Sequence, residues 1–447
     1  MRDIALILLF CPMLAMSVRH VHLGVILWVW TALAGSAAYL FGAGATFPFN
    51  KAAAVVTFVA LLTDRTKRKF FADGHFCLHT LFVIQGLVSF AFALTDFART
   101  EFLVDKMVKI WLLCALMRIA NRERLQLHAL VIVFTLTLGL HGGLEGMKYV
   151  MSGGSHKMVP NSMIGDNNYL ALAILMVLPF YIYLYRYSGN VLFRVILAGA
   201  GVASFLGLIG TSSRGGLLGL GVLAMMFVLE SKKKAISLFA VFVVGLGLVF
   251  FAPAKWTERM DTISSANEDS SFMQRVTSWK MHTILALDRP FLGGGYSALE
   301  DGQVHRAYAP QFGILSFIDS PTPLGPLAAH SIYFSVLGDL GFIGLILFLA
   351  MLAATFVNCR HIHIATAGRP DLAWAADLGI ATRRSMILFL VVGAALSASY
   401  FEILYIQMTL VSVLRRALEE ASARRLAFRP SPATVKSAGL ARLLPNA

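Results

Sequence analysis

The chain has 447 residues, of which 57% are hydrophobic and only 14% are charged. Soluble domains carry roughly 25% charged residues, so the composition argues against a soluble globular protein. The formal net charge is +14, but the basic residues form short clusters between apolar segments. That arrangement is typical of membrane proteins and argues against nucleic acid as a partner.

Apolar segments follow one another along most of the chain. About 20 apolar helical residues match a hydrocarbon core about 30 Å thick, so each segment is a candidate membrane span, although several are too short to cross without tilt. The pattern predicts an all-α polytopic membrane protein with about twelve transmembrane helices and no cleaved signal peptide. The thirteen segments are residues 4–16, 21–40, 51–62, 76–94, 103–119, 125–140, 168–185, 192–210, 215–229, 235–251, 331–358, 385–398 and 402–414.

Basic residues cluster in alternate loops, for example at 64–69, and the positive-inside rule places these loops in the cytoplasm. On this basis, residues 1–251 are N-terminal transmembrane helices and residues 331–415 are C-terminal transmembrane helices. Residues 416–447 are predicted to be a basic cytoplasmic tail that is largely disordered. The orientation of the N-terminus stays open, because the basic turn at 19–22 also has a cytoplasmic character.

One large polar loop, residues 252–330, is predicted to face the opposite, outer side. Acidic residues and serines at 268–271 are typical of a helix start, and apolar residues then recur at helical spacing. The loop is therefore predicted to contain an amphipathic helix over about 271–287, ended by Pro290. Such a helix can lie flat on the membrane surface.

Three residues at the outer face are candidates for chemistry, because charged side chains at membrane depth are costly and tend to be functional. Arg214 follows Ser213 at the start of an apolar helix, where free N–H groups favour an anion. Arg275 lies on the amphipathic helix, and its guanidinium can contact phosphate oxygens in pairs. His330 stands where the loop re-enters the membrane and can act as a base near neutral pH. The structural alternatives are a snorkelling arginine, a solvated arginine and a helix-capping histidine.

Weaker candidates lie on the same side. Asp166 is expected to cap the helix that starts near Asn168, and Asp339, deeper in its helix, is expected to pair internally. No HExxH run, the usual helical metal motif, occurs on this side, and the cysteines are scattered, so we predict neither a metal site nor a disulfide framework. The other secondary candidates are Lys157, Arg289, Tyr308, Tyr400 and Glu402.

Several short motifs, in their order and spacing, resemble the O-antigen ligase/polymerase superfamily over most of residues 1–415. The chain is most similar to the branch of O-glycosylation ligases, with which it shares an MRD start, a DNN before a span, and the WTERMDTI and EDSS stretches. One departure is Asp339, where the family is expected to carry Glu. The other motifs are SRGG at 213–216, RVTSW at 275–279, LALDRPFLGGG at 285–295 and AAHSIYFSVLGDLGFIG at 328–344.

The resemblance implies a glycosyltransferase of the membrane-embedded GT-C class in the bacterial inner membrane. Such enzymes transfer a glycan en bloc from undecaprenyl diphosphate to an acceptor hydroxyl on the periplasmic face, without cofactor, nucleotide sugar or metal. By this resemblance Arg214 and Arg275 bind the diphosphate, and His330 is the loop-end histidine of the family. The residue chemistry agrees, because positive charge stabilises a departing diphosphate. His330 is then the best-placed base for the hydroxyl, and direct attack inverts the anomeric centre.

The sequence does not identify the acceptor. We favour an O-antigen ligase that acts on the lipid A core of lipopolysaccharide, with an O-antigen polymerase and a protein O-oligosaccharyltransferase as alternatives. A lipid-linked glycan transporter is the rival from another class, but transporters keep ionisable groups near the midplane and have related halves. The expected partners are the undecaprenyl-diphosphate-linked glycan, with its lipid tail in an apolar groove between helices, a hydroxyl acceptor and membrane lipids.

Overall fold

The structure is a computed structural model that describes residues 2–35, 46–64, 70–95, 98–156, 165–250 and 270–427. Within these ranges every regular element is a helix. The α-helices are α1 (Arg2–Ser17), α2 (Val21–Ala34), α3 (Phe49–Thr63), α4 (Gly74–Ala91), α5 (Ala98–Ala120), α6 (Arg124–Met151), α7 (Asn167–Tyr187), α8 (Val191–Gly210), α9 (Arg214–Glu230), α10 (Lys234–Phe250), α11 (Ser270–Asp288), α12 (Gly302–Tyr308), α13 (Ile332–Thr366), α14 (Ala373–Gly393) and α15 (Glu402–Ala427).

These helices follow the apolar pattern of the sequence, since each predicted apolar stretch overlaps one of them. Within the described ranges, five helices are long and apolar enough to cross a membrane, namely α4, α6, α7, α8 and α13. This agrees with the predicted all-helical membrane protein. The count of about twelve spans, and which loops face the periplasm, stay predictions.

The predicted amphipathic helix is α11, which runs over Ser270–Asp288. Residues 252–269, the first part of the predicted loop, lie outside the described residues. Residues 416–427, the first part of the predicted tail, continue the last helix, and residues 428–447 again lie outside the description. The described part of the predicted loop therefore begins with a helix, α11, and this helix packs against α13.

The turn that follows α11 packs against a kink in α13. Gly341 has a φ of 70° and a ψ of −170°, which are not helical, and a Cβ at this position would lie 2.6 Å from the carbonyl oxygen of Pro290. Only glycine permits both the conformation and the approach. The N–H of Gly294 in the same turn donates to the carbonyl of Gly338 at 2.9 Å. The end of α11 is thus fixed against the first part of α13.

A buried carboxylate, Asp339, holds the same junction from inside. Its Oδ1 accepts the N–H of Ser297 at 2.9 Å, and its Oδ2 accepts the hydroxyl of Tyr400 at 2.9 Å. Ser89 of α4 donates to the main-chain carbonyl of Asp339, also at 2.9 Å. Buried polar groups need such partners. Asp339 therefore pairs inside the protein, as predicted, and these partners are neutral donors.

Candidate active site

The turn between α8 and α9 carries Arg214. Ser213 caps α9, because its Oγ accepts the N–H of Gly216 at 3.0 Å. The same hydroxyl donates to Oδ1 of Asn168, in the first turn of α7, at 2.7 Å. Arg214 therefore occupies the first position of α9 and lies beside the start of α7. Free N–H groups at such helix starts favour a bound anion.

His330 stands two residues before α13 in a left-handed backbone conformation, with a φ of 47°. Its N–H donates to Oγ of Ser397 at 2.7 Å, and Ser331 caps α13. Residues other than glycine adopt this conformation at a cost of about 1–2 kcal/mol, and it persists where the surroundings hold it. Among the described residues the other non-glycine positions with positive φ are Ser212, in the turn before α9, and Ser297, in the junction described above. All three residues lie in the candidate site or in the junction that supports it.

Arg275 lies on the face of α11 that is turned to His330. One turn further along this helix, Ser278 donates to the backbone carbonyl two residues before His330, at 2.6 Å. The ring of Trp279 stacks on that of Phe334, with centroids 5.4 Å apart. Residues three and four apart share a helix face. These two contacts therefore hold the side of α11 that carries Arg275 along the segment that contains His330.

Charges around His330 favour its neutral imidazole. Desolvation by the surrounding protein and the positive charge of Arg275 lower the pKa of His330 below its ordinary value, while the negative charge of Asp166 opposes them. Asp166 also caps α7, as predicted, by accepting the N–H of Tyr169 at 2.7 Å. A neutral imidazole can accept a proton from a hydroxyl. The imidazole of His330 therefore lies within electrostatic reach of an arginine and a carboxylate.

The three main candidates lie at one end of the helix bundle. Asp166, which acts on His330, is two residues from Asn168, and Asn168 contacts the cap of α9 through Ser213. Arg214 is the next residue in that cap. The two arginines and the starts of α7 and α9 therefore lie at the same end of the bundle as the histidine. Such a set can hold a diphosphate and stabilise the charge that develops when it leaves.

Three secondary candidates support the fold around this site. Arg289 donates to a backbone carbonyl at the end of α4 at 2.7 Å, and Tyr308 donates to the aspartate that ends α11. Tyr400 is buried and donates to Asp339. Lys157 lies outside the described residues. The structure thus assigns these three side chains to contacts within the protein.

Two polar contacts that support the site differ in how far the sequence indicated them. Ser397, whose Oγ accepts the N–H of His330, lies at the end of an apolar stretch, and nothing around it indicates a role. Asn167 donates to a carbonyl in the turn before α9 at 2.8 Å, and the sequence predicted a helix cap at the neighbouring Asp166 only. Glu402 forms an ion pair with Lys106 at 2.9 Å, so it too is engaged within the protein.

An apolar groove of about 790 Å³ lies between α7, α8, α9 and α10. On α9 its lining runs from Leu217, one turn after Arg214, to Phe227. At 1.5 Å per residue this is about 15 Å along the helix. Apart from two tyrosines, the lining consists of aliphatic residues, glycines and phenylalanines. The groove can hold an extended apolar chain whose polar end lies at Arg214.

Two family models match the chain. Residues 1–189 match a family of unknown function (DUF5935), and no curated protein matches. Residues 199–349 match the family described as O-antigen ligase, and they contain Arg214, Arg275 and His330. The match indicates a glycosyltransferase-like membrane enzyme, in agreement with the long apolar helices. The match over residues 199–349 supports the resemblance to the O-antigen ligase/polymerase superfamily that the motifs predicted.

Proposed function

We propose that the protein is an O-antigen ligase. It transfers a glycan en bloc from undecaprenyl diphosphate to a hydroxyl of the lipid A core on the periplasmic face of the inner membrane. One observation carries this proposal. His330 lies within electrostatic reach of Arg275 and Asp166, at the end of the bundle where Arg214 begins α9. A base and a diphosphate-binding set are the two parts that this reaction needs.

Arg214, Arg275 and the start of α9 hold the donor diphosphate. A guanidinium can contact two phosphate oxygens at once, and the helix start adds N–H donors. The negative charge on the diphosphate grows as the glycosidic bond breaks, so these groups stabilise the transition state more than the bound donor. The apolar groove below Arg214 takes the polyprenyl chain, which places the diphosphate at the membrane surface.

His330 is the base. The acceptor oxygen attacks the anomeric carbon, its proton passes to the imidazole, and the bond from that carbon to the diphosphate oxygen breaks, with the electron pair leaving on the diphosphate. Attack from the side opposite the leaving group inverts the anomeric centre. Asp166 has a second role, because its negative charge stabilises the imidazolium that forms. Arg275 keeps the resting imidazole neutral and ready to accept the proton.

Purified protein in lipid nanodiscs tests the activity directly. It is incubated with undecaprenyl-diphosphate glycan and, in separate reactions, with lipid A core, a second lipid-linked glycan or a serine-containing peptide. We expect the glycan to appear on lipid A core, without nucleotide sugar and in the presence of EDTA. Transfer only to the second lipid-linked glycan would identify a polymerase, and transfer only to the peptide a protein glycosyltransferase. Either outcome would contradict the proposed acceptor.

A further inference from the structure

A second cavity, of about 320 Å³, lies between α2, the start of α3, α5 and the start of α15. We call it the N-terminal cavity. Apart from Glu402, all of its lining residues fall within residues 1–189, the range that matches the family of unknown function. It contains neither the arginines nor the histidine proposed for the reaction. The chemistry described above therefore leaves this cavity without a role.

Two oxygen atoms of the lining residues are buried without a hydrogen-bond donor. Glu402 is only 7% exposed, and its Oε1 accepts from Lys106 at 2.9 Å. Its Oε2 has no hydrogen-bond partner within the described ranges, and neither has Oδ1 of Asn50. Native proteins rarely leave buried polar atoms in this state unless a function requires it. Both are acceptor atoms, and a rotation of either side chain towards the cavity would let it accept a hydrogen bond from a hydroxyl group of a ligand.

Lysines surround these acceptors. Lys51, Lys106 and Lys109 line the cavity together with the carboxylates of Asp105 and Glu402. Lys109 pairs with Asp105, and Lys106 with Glu402, so the lining carries one more positive than negative charge. Excess positive charge in a cleft with apolar walls favours an anionic ligand. A ligand that carries a carboxylate or a phosphate in addition to hydroxyl groups would match this lining.

Four of the remaining lining residues are aromatic. The face of an aromatic ring carries partial negative charge, and it attracts the polarised C–H groups on one face of a sugar ring. Acceptors for hydroxyl groups, a positive charge and aromatic walls together fit a sugar that bears an acidic group. The aromatic side chains that line the cavity are Trp28, Phe47, Phe49 and Phe102.

One short segment, residues 397–402, joins this cavity to the candidate active site. At its start, Ser397 accepts the N–H of His330 at 2.7 Å. At its end, Glu402 lines the cavity. Five residue steps span at most about 18 Å even in a fully extended chain. A short oligosaccharide held in the cavity therefore extends within reach of His330.

We propose that the N-terminal cavity binds an anionic sugar of the glycosyl acceptor and directs the acceptor hydroxyl towards His330. The assignment to an acceptor rests on the proposed function, whereas sugar binding itself does not. An acidic sugar in the donor glycan would use the same chemistry, and the experiment separates the two sources. The N-terminal region then recognises the acceptor.

Two substitutions test it with little risk to the fold. Asn50→Ala removes a buried oxygen that has no hydrogen-bond partner among the described residues, and Lys51→Met changes an exposed side chain. With saturating donor, each should raise the KM for lipid A core about tenfold, which corresponds to one lost hydrogen bond or ionic contact. The KM for the donor and kcat should stay close to wild type. Lys234→Met, at an exposed lysine that begins α10, is the matched control and should change neither KM.

Direct binding of lipid A core to His330→Ala protein, measured without donor, tests the cavity apart from catalysis. Adding Asn50→Ala or Lys51→Met to this background should weaken binding about tenfold. Unchanged acceptor binding in both double variants would overturn the proposal, and so would a raised KM for the donor alone, which would assign the cavity to the donor glycan. If wild-type protein glycosylates no acceptor while binding still responds to both substitutions, the cavity stands and the proposed function fails.

Discussion

Substitution of Gly338 tests whether the docking of α11 on α13 sets the position of Arg275. A Cβ at Gly338 would lie 2.5 Å from Cδ2 of His282 and 3.1 Å from its Cγ. Carbon atoms prefer separations of about 3.5–4.0 Å, so Gly338→Ala requires a shift of about 1 Å. The His282 ring cannot easily make that shift, because its Nδ1 lies 2.8 Å from the carbonyl oxygen of Ser278 and the residue is 3% exposed.

The helix α11 must therefore move instead of the ring. Burial lowers the pKa of His282 to about 4, so protonation of the ring at neutral pH does not relieve the clash. Arg275 lies seven residues before His282, two turns along the same face, and moves with the helix. A misplacement of about 1 Å can cost about 100-fold in rate. We expect kcat of Gly338→Ala to fall roughly 10- to 100-fold while the protein stays folded.

Glycan transfer by purified protein in nanodiscs measures this effect, with thermal unfolding of each variant as the measure of folding. Gly199→Ala is the matched control. It makes the same substitution inside α8, at a position where a Cβ meets nothing within 4 Å, and it should leave kcat unchanged. A folded Gly338→Ala protein with wild-type kcat would refute the view that this contact positions Arg275.

Three further predictions concern charge, capping and burial. Neutral His330 is the active form, so activity rises as pH rises through its pKa. Arg275→Gln should raise that pKa and move the acidic limb of the pH–rate profile to higher pH. Asp166→Asn can still cap α7, and it should move the acidic limb to lower pH. Ser213→Ala should destabilise α9 by about 1 kcal/mol and weaken donor binding, with Ser213→Thr as the conservative control. Tyr400→Phe should lower the free energy of unfolding by about 1–3 kcal/mol, measured by thermal melts, because its buried carboxylate partner loses a donor.

The helices were predictable because the length of an apolar run and the charges at its ends determine them locally. The amphipathic helix was predicted at 271–287 and runs over Ser270–Asp288, since its start signals and apolar period are all nearby in sequence. The kink at Gly341 was not predicted. Glycines are common in membrane helices, and only the carbonyl of Pro290, brought there by tertiary packing, shows why this one must be glycine.

The candidate site was predictable only in part. Arg214, Arg275 and His330 stand out because each is a charged or titratable group beside an apolar helix. Ser397 does not stand out, because its partner is 67 residues away. Tyr400 was a secondary candidate, but its hydrogen bond to Asp339, 61 residues away, was not predicted. Pairings over such distances have no local signal.

The most direct measurement of the central claim compares donor binding and glycan transfer in His330→Ala protein. If His330 is the base and the arginines hold the diphosphate, the variant should bind undecaprenyl-diphosphate glycan with wild-type affinity. It should transfer the glycan at least about 100-fold more slowly, the usual contribution of a general base. Transfer at the wild-type rate by this variant would contradict the account.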